Sequence, residues 1–424
     1  MSAAPRILFI TKSPPWPTDI GGNQRANLLY RALAGSGSVD LVLVNEVSPG
    51  EEARLRMDFN LMGVFPLRPA GACGAWRVLR PMAPEWVDRI AHHARGARWM
   101  YRRDPMLHDW LTNQVAASKH SVIVGCPAEA VGRADVFASC PVVLDNHDLA
   151  ASYYRSRLET GQPSGVSRRL LMRHLRHLYD VLPPLFRRCA EVFIANDEDR
   201  CFPGLENARL LPNIPFPSHL PEVPFPDNAD SREVLTIGAF SHRPNEEGVD
   251  FFVQQVWPEV KKRVPAARYR IVGTGIADAA RDRWGAVPGV EVVGYAADLS
   301  GQYKSAAFTV VPVLWGAGTH IKLAESLACG RTSVVTPAAM RGYRHMLRHD
   351  ESLLVGDTPG ALAGCCIQLL SDAGRRERLA RNGSERIRNM LSFEAFCSIV
   401  RDTLEQVISA DREKVSGVQD GQSK

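Results

Sequence analysis

The chain has 424 residues, 45% hydrophobic and 23% charged, enough length for two or three domains of about 150 residues and too apolar for global disorder. Its formal net charge is +5, which argues against nucleic acid as a partner unless the charge is clustered. No apolar run approaches the ~20 residues that a membrane-spanning helix needs.

The first element, Arg6–Thr11, is a continuous apolar run of strand length. A loop rich in proline and glycine follows, Pro14-Pro15-Trp16-Pro17-Thr18-Asp19-Ile20-Gly21-Gly22, then a helical pattern from Asn23 to Leu33 and a second apolar run, Val39–Val44. Strand, glycine loop, helix, strand is the βαβ pattern of a buried parallel sheet. Short apolar runs at Ser121–Val124, Pro141–Leu144 and Val192–Ala195 extend it, so the first half reads as a doubly wound α/β domain. Between 215 and 232, Pro215, Pro217, Pro221, Pro224 and Pro226 oppose both helix and central strand, which predicts an interdomain linker.

A second α/β series follows: a strand at Val234–Ile237, a helix around Gly248 to Arg263, and Arg268–Val272 running into Gly273 and Gly275. Val290–Val293 runs into Gly294-Tyr295, Phe308–Leu314 into Gly316 and Gly318, and a further strand spans Thr332–Val335. The expected organisation is a first domain over 1–215, a linker at 216–232 and a second domain over 233–395. A helix at 396–410 would pack back on the first domain, and a polar tail at 411–424 would be disordered. Nine scattered cysteines, with no zinc-like spacing, and the shortness of the apolar run Ile7–Ile10 point to a reducing cytoplasm without a structural metal or secretory leader.

The most informative stretch is Leu314-Trp-Gly316-Ala-Gly318-Thr319-His-Ile-Lys322-Leu-Ala-Glu325-Ser-Leu-Ala-Cys-Gly330. Glycines let the backbone approach a ligand, and the first turn of a helix starting near Thr319 attracts phosphate. Lys322 and Glu325 are three apart and share a helical face. The cation suits a diphosphate, and the carboxylate suits the two hydroxyls of a ribose. An ordinary βα turn with a surface Lys–Glu pair is the alternative. Gly273-Thr-Gly275 lacks the third glycine and the acidic partner of a dinucleotide site.

The pattern G-x-G-T-x-x-K-x-x-E-x-L-A-x-G resembles the donor-site signature of family 4 glycosyltransferases of the GT-B fold. Other segments agree in order: Gly21-Gly22 with the acceptor-side loop, Asp145-Asn-His147-Asp148 with a D-x-H-D variant, Leu211-Pro-Asn213 with the close of the first domain. Gly238 to Asn245 matches the G-x-x-x-x-x-P-N loop of one subgroup, and Gly294-Tyr295-Ala-Ala-Asp298-Leu299 the segment beside the nucleotide base. Two positions depart from the family pattern. Ala317 stands where the first Glu of E-x7-E is usual, and Ala239 and Glu247 stand where an Arg and a Lys are usual.

The resemblance implies two Rossmann-like domains facing across a cleft and a retaining, metal-independent transfer from a nucleotide sugar, with no further cofactor. Lys322, Arg243 and the N–H groups at Gly318-Thr319 would stabilise the leaving diphosphate, and His147 would face the sugar. Glu325, Gly316, Gly318, Thr319, Tyr295 and Gly238 would bind the donor nucleotide. A glycan acceptor, commonly lipid-linked in this family, would place the chain on the inner face of the cytoplasmic membrane. Two basic segments fit an anionic membrane surface: Arg77 to Arg103 interleaved with Trp76, Trp86, Trp99 and Tyr101, and the helix bearing Arg168, Arg169, Arg173 and Arg176. Solvated basic faces are the plainer reading of both. Rival functions are a non-catalytic nucleotide-sugar-binding scaffold and a GT-B nucleotide-sugar epimerase.

Overall fold

The computed structural model describes residues 4–18, 20–66, 100–161 and 164–421. The chain divides into two compact units, Met1–Pro212 with Phe396–Lys424, and Asn213–Ala395. It passes between them twice.

The first unit is built on a seven-stranded sheet: β1 (Arg6–Thr11), β2 (Ser38–Leu43), β3 (Leu61–Val64), β4 (Val122–Cys126), β5 (Val142–Asp145), β6 (Glu191–Ile194) and β7 (Arg209–Leu210). Their spatial order is β3-β2-β1-β4-β5-β6-β7, with every pairing parallel. Ile7 of β1 sits level with Val39 on one side and Val122 on the other. The continuous apolar runs are explained by this arrangement, because helices cover both faces and the central strands β1, β4 and β5 are buried over nearly their whole length. Leu8, Ile10, Ile123 and Leu144 pack against Leu178, Leu182 and Phe186 of the helix Gly165–Arg188.

The second unit repeats the plan with β8 (Glu233–Ala239), β9 (Arg268–Thr274), β10 (Val290–Gly294), β11 (Phe308–Val311), β12 (Ser333–Val335) and β13 (Leu354–Val355), in the order β10-β9-β8-β11-β12-β13. All its pairings are parallel. Its core is aromatic: Tyr269 lies 4.8 Å from Phe252 and 5.5 Å from Trp257, centre to centre. In each sheet the order reverses once, between β1 and β4 and between β8 and β11. At such a reversal the loops leave toward opposite faces and open a crevice at the carboxyl ends of the strands.

Three expectations need correction. The proline-rich segment is not a free linker. The wholly buried Arg331 donates to the carbonyls of Phe225 (3.2 Å) and Pro226 (2.9 Å), and Arg376 pairs with Asp227 at 2.8 Å, so the segment is bound into the second unit. Prolines leave carbonyls without partner N–H groups, and the two guanidinium groups use them. The C-terminal residues 411–421 are helical, as the last helix spans Phe393–Gly421; no proline interrupts that stretch. The helix before β9 begins at Arg243, five residues earlier than the pattern suggested, because Pro244 sits in its first turn where a missing N–H costs nothing. Of the first basic aromatic segment, Trp76 to Trp99 lies outside the described residues.

Candidate functional site

In the second unit the chain leaves β11 through Trp315 and turns at Gly316 (φ 147°) and Gly318 (φ 69°), backbone conformations that favour glycine, before the helix Ile321–Ala328. Thr319 accepts a hydrogen bond from the Asn213 amide at 2.8 Å. Lys322 is half-buried, and its Nζ donates to Asn245 Oδ1 at 2.5 Å, while the Asn245 amide donates to the Ala239 carbonyl at 2.8 Å. The tip of β8 supplies the floor. A Cβ on Gly238 would stand 3.4 Å from both the Asn245 amide and the Lys322 amine. Both are ordinary van der Waals distances, so a methyl group fits there without displacing the lysine.

The electrostatics of this corner are one-sided. Burial lowers Lys322 to about 8, with Glu325 opposing the shift. Burial, then Lys322, His242 and Arg341, push His320 down to about 3, so its ring is neutral at pH 7. Desolvation and Lys322 also lower His242. A lysine whose charge depresses two neighbouring histidines beside a helix N-terminus marks a place where an anion is favoured.

Glu325, one turn along and buried, has Oε1 3.4 Å from Nδ1 of His219. Its charge, after burial, pushes the Tyr303 phenol well above the ordinary value. Arg243 is turned to Glu247 of its own helix, and Glu247 also accepts from the Trp315 indole at 2.6 Å. The glutamate that replaces the usual lysine therefore fastens the glycine turn to the helix Arg243–Phe251. Tyr295 is 72% exposed at the end of β10, and Asp298 caps the next helix through the Gly301 N–H at 2.9 Å. Gly238, Gly316, Gly318, Thr319, Lys322, Glu325 and Arg243 thus lie along the carboxyl ends of β8 and β11 or the helices that follow.

A second cluster lies at the carboxyl ends of β4 and β5 in the first unit. His147 Nδ1 is 3.2 Å from Asp145 Oδ2 and 3.7 Å from the Cys126 thiol. Asp145 is fully buried and bound bidentately by Arg25, Nε to Oδ2 at 3.0 Å and Nη2 to Oδ1 at 2.7 Å. Burial opposes its charge, yet Arg25 and the His147 ring hold the carboxyl well below the usual carboxylate range. Sulfur, nitrogen and oxygen atoms of Cys126, His147 and Asp145 come within 4.8 Å of one another, a spacing that suits a metal. The donor set argues otherwise. Arg25 already neutralises the carboxylate, and burial raises the thiol well above its ordinary value, with Asp145 adding to the rise. The cluster is a hydrogen-bond relay that orients the imidazole. Gly21 and Gly22 open the helix Gly21–Ala34, whose Asn23 and Asn27 amides bond the carbonyls of Pro17 (2.7 Å) and Pro15 (3.0 Å) and so shape the proline loop.

Sequence reasoning missed Arg25, Cys126, His219, His242 and His320. Of these, His320, inside the glycine–helix motif, and His242, inside the Gly238–Asn245 loop, carried a local signal.

Residues 231–372 match the family model of glycosyl transferases group 1. No curated protein sequence matches the chain. Among solved structures, sucrose-phosphate synthase from Thermosynechococcus elongatus superposes with a TM-score of 0.65 at 16% identity, covering 96% of this chain and 99% of that one. Anabaena HepE in complex with UDP and glucose gives 0.64 at 13% identity over 95% and 100%. TarM gives 0.64 at 9% identity over 94% and 98%. With residues 231–372 matched by that family model and nearly the whole length sharing the GT-B fold of these structures, the chain carries a group 1 glycosyl-transferase domain and is a glycosyl-transfer enzyme.

Proposed function

We propose that the chain is a retaining, metal-independent transferase of the family 4 type, moving a sugar from a nucleoside-diphosphate donor to a lipid-linked glycan acceptor in surface polysaccharide or glycolipid assembly. The observation that carries the donor half is Lys322 at the start of the helix Ile321–Ala328, its Nζ presented by Asn245 and its charge depressing His242 and His320, a cation that a diphosphate complements. Lys322 and the N–H groups at Gly318-Thr319 take the charge of the leaving group, with Arg243 at the rim. That neutralisation leaves no step for a divalent cation. Glu325 holds the ribose hydroxyls in place of His219, Tyr295 lies beside the base, and His147 meets the donor sugar. HepE has been solved with UDP and with UDP-glucose, so uridine nucleotides are the first donors to try.

The acceptor half rests on charge. The helix Gly165–Arg188 bears six arginines and one aspartate, a net +5 equal to that of the entire chain. Its outer side exposes Arg168, Arg169, Arg173 and Arg176 beside Met172, Tyr179 and Val166. Cations interleaved with apolar side chains suit the headgroup layer of an anionic membrane. No helix among the described residues is long and apolar enough to cross one. A thermal-shift panel of nucleoside diphosphates and nucleotide sugars, followed by assays of transfer and donor hydrolysis, tests the reading. Binding without turnover of any donor would favour a scaffold instead.

A further inference from the structure

Arg25 has no place in the donor chemistry, yet its surroundings are unusual for a buried ion-pair partner. Besides Asp145, its guanidinium donates to the carbonyls of Leu211 (Nη2, 3.0 Å) and Pro212 (Nη1, 2.9 Å). The same group lies 4.9 Å from the centre of the Phe396 ring. Pro212 and Phe396 are the residues of the first unit at which the chain crosses to and from the second. One side chain thus holds both crossings and the carboxylate beneath His147. An ionised carboxylate only accepts, so Asp145 requires the proton of His147 on Nδ1 and leaves Nε2 as the free lone pair.

We propose that Arg25 is a positioning residue, which through Asp145 fixes the tautomer and orientation of His147 and ties that setting to both points where the chain crosses between the units. The inference rests on the reading that His147 meets the donor sugar. Arg25 itself touches no substrate; displacement of either crossing strand pulls on the group that aims the imidazole. Small displacements suffice, because the bidentate geometry is directional.

The test compares the full-length parent with Arg25→Lys, His147→Ala and the double variant, using kcat and KM for the nucleotide sugar and calorimetric binding of UDP. Lysine keeps the charge but loses the fork. Each single change is expected to lower kcat at least tenfold with KM and UDP affinity within about twofold, and the double variant to be no worse than His147→Ala. Multiplying losses in the double variant overturn the coupling while leaving His147 in place. A fully active His147→Ala overturns the role of His147 and the coupling with it. Should Arg25→Lys fail to fold, Phe396→Leu removes only the ring beside the guanidinium. It is expected to lower kcat several-fold, with no further loss in the His147→Ala background, and an effect equal in both backgrounds counts against the proposal. Heteronuclear NMR of the imidazole adds a readout that a purely structural role would not move. The parent is expected to show a single Nδ1–H tautomer at His147, and Arg25→Lys a mixture; unchanged tautomers refute it.

Discussion

Raising the pH should release the donor nucleotide, because the site's lysine is close to losing its proton. Burial brings Lys322 to about 8, against an ordinary 10.5. A diphosphate placed on the amine restores the charged form, so binding takes up a proton wherever the free lysine is partly neutral. With a free value of about 8, the amine is about 90% protonated at pH 7 and about 10% at pH 9. Affinity for a nucleoside diphosphate should therefore fall about tenfold over that interval, about 1.4 kcal/mol. At pH 8, binding should take up about half a proton. The phosphates do not confuse the measurement, since their last ionisation lies near 6. Calorimetry in buffers of different ionisation enthalpy reads both quantities, with Lys322→Met as the control that should bind weakly and without this slope. The sign for stability of the free protein is opposite. The unfolded chain holds the proton that the folded lysine sheds between about 8 and 10.5, so stability should rise over that window in the parent relative to Lys322→Met. A flat affinity from pH 7 to 9, or an equal slope in Lys322→Met, would refute the assignment.

Glu325→Gln should weaken nucleotide binding by about 1.5–3 kcal/mol, the range for hydrogen bonds to a charged group, while the melting temperature stays near that of the parent; equal binding of ribo and 2′-deoxy nucleotides to the parent would remove the carboxylate from the ribose. Excess chelator should leave turnover intact, and activity restored only by Mg²⁺ or Mn²⁺ would overturn charge neutralisation by Lys322 and the helix terminus. Sedimentation with vesicles should increase with anionic lipid, decrease with salt and diminish in Arg168→Ser/Arg173→Ser/Arg176→Ser, each arginine contributing about 1 kcal/mol; indifference to lipid charge would leave the basic helix as a solvated face.

The parallel sheets were readable because buried strands are apolar throughout and their turns carry glycine. The donor-side motif was equally legible, being continuous from Leu314 to Gly330. What escaped had contacts far along the chain. Arg25 and Asp145 are 120 residues apart, His219 and Glu325 106, and nothing local marks Arg25 or His219. The two-residue strands β7 and β13 are too short for any periodicity, and Leu61–Val64 holds a glycine that breaks its apolar run. For the arginine and lysine that usually follow the first strand of the second domain, the sequence offered Arg243 with Lys322 as the substitute. The structure supplies a different arrangement there, with Asn245 presenting Lys322 and Glu247 anchoring Trp315.

The strapping of the proline-rich segment decides where this protein can be divided. The family match begins at residue 231, which invites a cut just upstream of β8. Such a fragment would discard Phe225, Pro226 and Asp227, leave Arg376 buried without its carboxylate partner and strip Arg331 of two of its carbonyl acceptors. Stranding one partner of a buried pair costs about 3–5 kcal/mol, a large share of the stability of a single domain. An independently folding donor half therefore starts at the crossing near Asn213, and the apparent spacer is part of its foundation.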